Sequence, residues 1–391
     1  MKITGFETLR ADAGWRFFSF VKITTSSGIE GWSEFNEGFG NPGLGAAVGA
    51  LGETLIGQDP RAWERLVTAL HVHNRTARGG IVQQAIAAIE NALLDLRAKD
   101  LGVPVAALFG GPIRERVPVY WSHAGSYRLH NAAQVGGTDI RTYDDLALHA
   151  GEIGALGYRA IKTNTFLMED GRLMAFNPGF GRTPGWPELN WDHRILRGIH
   201  NTLAAMRAGA GAEVALMLDV NFHFKTEGFE RVAETVAPFG LAWLELDIHD
   251  PRALADVRRH APCPIASCET LCGRRDFLPY FDNRSMDIAI VDVIWNGLGE
   301  SMKIASMAET HEINVAPHNF YGHLSSMISA HFAACVPNLR SMEIDPDGVA
   351  LRDAYVRERP AIEHGMLVMP SAPGWGIEVD EAAIRAHPPQ L

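Results

Sequence analysis

Three acids at near-equal spacing, Asp219, Glu245 and Glu269, are the first residues in this 391-residue chain whose types and positions suggest chemistry. Two glutamates and one aspartate make an oxygen-only donor set, which suits a hard cation and leaves positions for water and substrate oxygens. Magnesium is the expected ion, with manganese as the alternative. Without a cation, three converging carboxylates would repel one another and raise each other's pKa. Asp292 and His318 form a second constellation, in which the carboxylate can hold one imidazole nitrogen, fix the tautomer and make the other nitrogen more basic. Lys162 could supply positive charge to a substrate carboxylate or take part in proton transfer. Glu343, if protonated, could donate a hydrogen bond to a developing enolate.

The elements that must position these groups can be read from the surrounding pattern. Eight short runs, VPVYWSH, YRAIKTN, VALMLDVN, LAWLELD, PIASCE, DIAIVDV, INVAPHN and LRSMEID, read as strands alternating with helical segments. Each ends in a polar or ionisable residue: His123, Lys162 with Asn164, Asp219, Glu245, Glu269, Asp292, His318 and Glu343. From Asp219 onward the separations are 26, 24, 23, 26 and 25 residues, the length of one strand, one helix and two loops. Eight such units make a closed (β/α)8-type barrel, a modified TIM barrel, with the polar ring at its C-terminal mouth. Helix capping would explain any single acid but accounts poorly for six in register. One interval, Lys162 to Asp219, is 57 residues long. Its excess is the piece MAFNPGFGRTPGWPELNWDH, which must emerge at the same mouth as a lid, a subunit contact or a plain surface excursion.

Residues 1–115 read as an α+β capping domain, 116–360 as the barrel, and 361–391 as a C-terminal segment returning to the capping domain. The first part holds two strands, KITGFETLRA and FFSFVKITT, a turn at SSG, and then helices. In IVQQAIAAIENALLDLRAKD, Val82, Ile86, Ile89, Leu93 and Leu96 fall on one helical face, and Gly102 closes the helix.

Composition limits the remaining options. Hydrophobic residues make up 47% of the chain, enough for one large core or two moderate ones. The net charge of −11, with scattered Lys and Arg, argues against nucleic-acid binding. A small anionic substrate remains compatible, since a bound cation reverses the local field. No run reaches the length of a signal peptide or a membrane span, so a cytoplasmic protein is expected. The four cysteines form no CxxC pair and are expected to be free thiols.

These motifs together resemble the enolase superfamily, in its mandelate racemase subgroup, over nearly the whole chain. The DVN at Asp219, the WLE at Glu245 and the CET at Glu269 are similar to that family's three metal-ligand motifs. Asp292 with the APHN at His318 is similar to its His-Asp dyad, and AIENALLDLRAKDLGVPVAALFGG to its helix and linker into the barrel. The resemblance implies abstraction of the proton alpha to a carboxylate, with magnesium stabilising the enediolate. It also implies a small-molecule carboxylate substrate, a homo-oligomer, and capping loops that close over the mouth. Those loops would be AGWRFFS, with Trp15, Arg16 and Phe17, and EFNEGFGNPG, with Glu34, Asn36 and Phe39. His123, Asn164, Asn221 and His223 are further candidate substrate contacts.

Two departures bear on the reaction. The family's second-strand motif is often Lys-x-Lys with the second lysine a base, and here it reads Lys162-Thr163-Asn164. Asn164 cannot take a proton, which favours a one-base elimination, as in an acid-sugar dehydratase, over a two-base racemase or epimerase. A cycloisomerase acting on a lactone or anhydro sugar acid needs nearly the same machinery. The second departure is the ELD at Glu245–Asp247, where Asp247 is a rival ligand.

Overall fold

The computed structural model describes residues 1–38, 41–177 and 190–389. Strands β1 (Ile3–Asp12), β2 (Phe17–Thr25) and β3 (Glu30–Phe35) form an antiparallel sheet in that order. The sequence pattern places helices directly after the turn at Ser26–Gly28 and gives no sign of β3. Its EGWSEF is almost wholly buried and so lacks the alternation that marks a half-exposed strand. Three helices come next: α1 (Leu44–Glu53), α2 (Trp63–His73) and α3 (Gly80–Leu101). β3 crosses α3 so closely that a Cβ at Gly31 would lie 2.4 Å from the Ala92 carbonyl oxygen. Gly102, with φ 69°, closes α3 as its left-handed cap.

α3 is buried on more than its apolar face, because it is sandwiched between the sheet and the barrel. Its polar residues serve that second contact. Asp95 accepts the backbone N–H groups of Trp32 and Trp375 and the Lys99 ammonium. Glu90 and Asn91 accept the N–H groups of Gly299 and Leu298 at the start of a barrel helix.

The barrel strands are β4 (Arg116–Trp121), β5 (Ala160–Thr163), β8 (Ala215–Asp219), β9 (Trp243–Glu245), β10 (Ile265–Ser267), β11 (Ile288–Asp292), β12 (Asn314–His318) and β13 (Met342–Ile344). Neighbours pair in parallel from β4 through β12, β13 pairs with β4, and a bridge from Val315 to Leu339 closes the ring. Each of the eight expected runs contains a strand. Between them lie α4 (Tyr143–Ala155), α5 (His193–Ala210), α6 (Thr226–Val236), α7 (Pro251–His260), α8 (Arg274–Asp282), α9 (Val293–Asn296), α10 (Leu298–Thr310) and α11 (His323–Cys335). The long interval after β5 contains a hairpin, β6 (Phe166–Glu169) with β7 (Arg172–Ala175), ahead of α5. Most of its Gly- and Pro-rich piece lies outside the described residues. Tyr120, Met217, Trp243, Ala266, Ile288, Ile290 and Ala316 fill the barrel interior.

Past the barrel, β14 (Ile362–Glu363) and β15 (Met366–Val368) form a hairpin whose second strand pairs antiparallel with β4. Helix α12 (Glu381–Ala386) then packs on β1, and Lys22 of β2 meets Glu381 at 2.6 Å. Among the described residues no helix is long and apolar enough to cross a membrane.

Candidate active site

Asp219 and Glu245 end adjacent strands in direct register, and Glu269 lies two residues past β10. Each offers a carboxylate oxygen lying within 4.8 Å of the others. The turns that present them are tight: Asn221 (φ 50°) and Cys268 (φ 88°) occupy the left-handed region, as does His123 (φ 51°) after β4. Such non-glycine outliers cost roughly 1–3 kcal/mol each and concentrate at functional sites. Asp219 is steadied by the Asn221 N–H at 2.9 Å, and Glu245 by the indole N–H of Trp243 at 2.9 Å.

Burial first, and then mutual repulsion, push the carboxyl pKa values of Asp219, Glu245 and Glu269 up, although Lys162 and His318 pull the other way. Two buried acids and a third that is partly buried, resisting ionisation together, are the donor set a divalent cation would neutralise, so the residues fit magnesium. Asp247 does not join them. Its Oδ1 accepts Ser267 Oγ at 3.0 Å and the Cys268 N–H at 2.9 Å, which commits it to holding the turn before Glu269.

On the facing wall, His318 Nδ1 lies 2.7 Å from Asp292 Oδ2, leaving Nε2 toward Glu269 at 3.6 Å. The Asp292 carboxylate is fully engaged. Its Oδ1 accepts the N–H groups of Ile294 and Trp295 at the start of α9, and Tyr321 donates its hydroxyl to Oδ2. Burial alone would lower the imidazole pKa. Glu269 and the hydrogen bond to Asp292 outweigh it and push it up to about 10.

Lys162 is 2% exposed and its ammonium sits 2.9 Å from Glu245, 3.1 Å from Glu343 and 3.7 Å from Asp219, above the Tyr120 ring. Burial would lower its pKa, but these acids raise it well above the ordinary value, so the ammonium stays charged. This arrangement corrects the expectation of Glu343 as a protonated donor. Glu343 Oε1 accepts Ser122 Oγ and Lys162, and Oε2 accepts the Asn319 N–H at 2.7 Å. Although burial raises its pKa, Lys162, His318 and His123 hold it below the usual carboxylate range.

The expected substrate contacts divide. Asn164 uses its amide to accept Ser126 Oγ at 2.7 Å and to reach the Asp219 carbonyl at 3.4 Å, so it braces β8. His123 faces the mouth between Tyr127 and Phe320, and burial pushes its pKa down to about 3. Arg16 reaches across from the capping sheet, donates to the Phe320 carbonyl at 2.8 Å and lies 4.9 Å from that ring. Trp15 stacks on Tyr127 at 4.7 Å. Glu34 instead caps α11, accepting the N–H groups of Gly322 and Ser325. Asn36 is buried, His223 is buried among Phe176 and Phe222, and Phe39 lies outside the described residues. Spacing along the chain does not single out Ser122, Tyr321 or Asn319. The run HNFYGH after β12, dense in ring-bearing side chains, is the one available signal for Tyr321.

Residues 145–383 match the family described as Enolase C-terminal domain-like, and residues 9–110 match the Mandelate racemase / muconate lactonizing enzyme N-terminal domain. The chain belongs to the enolase superfamily, in its mandelate racemase subgroup, and is an enzyme of that class. It is similar to a structure from Burkholderia xenovorans strain LB400, provisionally named L-alanine-DL-glutamate epimerase and described as bound to magnesium and fumarate. The two share 49% identity and a TM-score of 0.97, over 100% of this chain and 97% of that one. A D-galactonate dehydratase of Variovorax paradoxus is 31% identical over 98% of this chain and 94% of that protein. A D-galactarolactone cycloisomerase of Agrobacterium fabrum is 28% identical over 97% and 94% respectively.

Proposed function

We propose that the protein is a magnesium-dependent sugar-acid dehydratase that works with one base. The observation that carries this reading is the engagement of Lys162, whose ammonium is clamped by Glu245 and Glu343 while Asn164 stands where a second lysine base would be. His318 is left as the group able to move a proton. Asp219, Glu245 and Glu269 would hold the ion, which when bound supplies positive charge to stabilise the negative charge building on a substrate carboxylate.

With Glu269 neutralised by a bound cation, the largest influence holding the imidazole protonated is removed, and His318 Nε2 takes the alpha proton while Asp292 fixes the tautomer through Nδ1. The resulting imidazolium returns that proton to the leaving beta hydroxyl, and the enol product tautomerises to a 2-keto acid. Lys162 neutralises the acids beside it without exchanging its proton. The aromatic groups around Arg16 and Phe320 exclude water from the mouth.

The relative named as a cycloisomerase supports a second reading, in which the beta leaving group is a ring oxygen that stays attached. The test is incubation of the magnesium-loaded protein with a panel of aldonic and aldaric acids and their lactones. A 2-keto product lighter by one water supports dehydration, and product of unchanged mass supports cycloisomerisation. Deuterium entering the alpha carbon of recovered, stereochemically inverted substrate would replace both with an epimerase. No turnover across the panel with magnesium bound would sink the sugar-acid assignment.

A further inference from the structure

The opposite end of the barrel is incompletely filled. Ala160, Ala215, Ala242 and Ser341 stand at the N-terminal ends of the strands and are too small to meet across the axis, leaving a cavity of about 210 Å³. Its deeper walls, Val119, Met217, Trp243 and Met366, are apolar. Three basic side chains lie around it, Arg159, Arg340 and His364, and no acid lines it, in a chain whose net charge is −11. They come from three separate places, ahead of β5, ahead of β13 and in the β14–β15 turn. That turn is held against Gly157, where a Cβ would come within 2.9 Å of His364 Cα. Among the described residues neither guanidinium has a side-chain hydrogen bond or an ion pair.

Arginine forks match carboxylate geometry bidentately, and an apolar recess beneath them favours a ligand with a hydrocarbon body over a bare inorganic anion. The volume lies below the roughly 300–1,000 Å³ of sites for drug-sized ligands, so the occupant is small. Below its basic rim the recess offers hydroxyl groups little beyond Ser341, which separates it from the polar mouth.

We propose that this cavity is a second binding site, for a small monocarboxylate whose acid group is clamped by Arg159 and Arg340 and whose apolar body enters between the strands. Calorimetric titration of the full-length, magnesium-loaded protein with hexanoate, hexanol and inorganic phosphate tests it. Hexanoate should saturate one site per chain, with hexanol and phosphate at least about tenfold weaker. The double variant R159Q/R340Q should weaken hexanoate by about tenfold or more, while Asp219→Asn, which alters the mouth, should leave it unchanged. Each single arginine exchange is titrated as well, so a double variant that fails to fold does not remove the test. Absence of saturable hexanoate binding overturns the proposal. So does equal binding of hexanol or phosphate, retention of affinity in the arginine variants, or its loss in Asp219→Asn.

Discussion

At the C-terminal ends of the eight strands, buried acids, a lysine and a histidine crowd together, each held by named partners. At the N-terminal ends of the same strands, alanines and apolar side chains surround a recess with cations at its rim. Both ends are built from one set of strands, so the difference lies in the segments that leave each strand and those that enter it. The turns after β4, β8 and β10 carry non-glycine residues at positive φ, but so do Arg284, Glu312 and His364 at the other end, so backbone strain does not separate the two. The floor between the two ends is the Tyr120–Trp243 pair, packed edge to face at 5.3 Å.

The largest effect that would break this contrast concerns the base. His318→Asn should lower kcat by about 10²–10⁴-fold with magnesium affinity retained, measured on whichever sugar acid the panel identifies. Turnover within tenfold of the parent would place the base elsewhere. Lys162→Met should cost about 3–5 kcal/mol in chemical denaturation, because Glu245 and Glu343 lose their shared counter-charge while remaining buried. A loss below about 1 kcal/mol would show that the mouth is far less desolvated than its geometry indicates.

Magnesium at about 100 times its Kd should raise stability by about 2.7 kcal/mol, read as a shift in thermal midpoint. Asp219→Asn should abolish that gain while leaving the metal-free protein no less stable, since one repelling charge is gone.

Glu90 belongs to neither end and isolates burial from catalysis. Burial, opposed by the Gly299 hydrogen bond, raises its carboxyl pKa to about 7 in the folded protein, against 4.5 for an unperturbed glutamate. Folding therefore favours the protonated form, and stability is lost as pH rises from about 4.5 to about 7, above which the loss is complete. Relative to the parent, Glu90→Gln should gain roughly 3 kcal/mol between pH 4.5 and 8 in urea unfolding. A pH-independent difference would contradict the assignment. The smallest effect is at the floor, where Ala242→Val should stabilise by about 0.5–1 kcal/mol with kcat unchanged. A fall in kcat there would mean that the two ends are coupled.

Much of the mouth is legible in the sequence because strand, helix and loops occupy a nearly fixed length, so Asp219, Glu245, Glu269, Asp292, His318 and Glu343 recur in step. The chemistry of Glu343 is not, since its state depends on Ser122 and Lys162, which lie 221 and 181 positions away in the chain. β3 escapes notice because burial on both faces removes the period-two signal. Glu34 and Asn164 look like substrate contacts by position, yet their polar atoms are taken by a helix start and a neighbouring strand.

The order of residue types along the chain was enough to determine the family, the barrel and the three acids that cluster at its mouth, because these rest on local spacing that every unit repeats. Which acid is protonated, whether Lys162 is free to act as a base, whether Asp247 competes for a cation, and that the barrel floor is hollow and basic were decided only in three dimensions. Each depends on desolvation and on partners brought within about 3 Å from distant segments, and Coulomb and hydrogen-bond energies at that range exceed anything that local sequence prescribes.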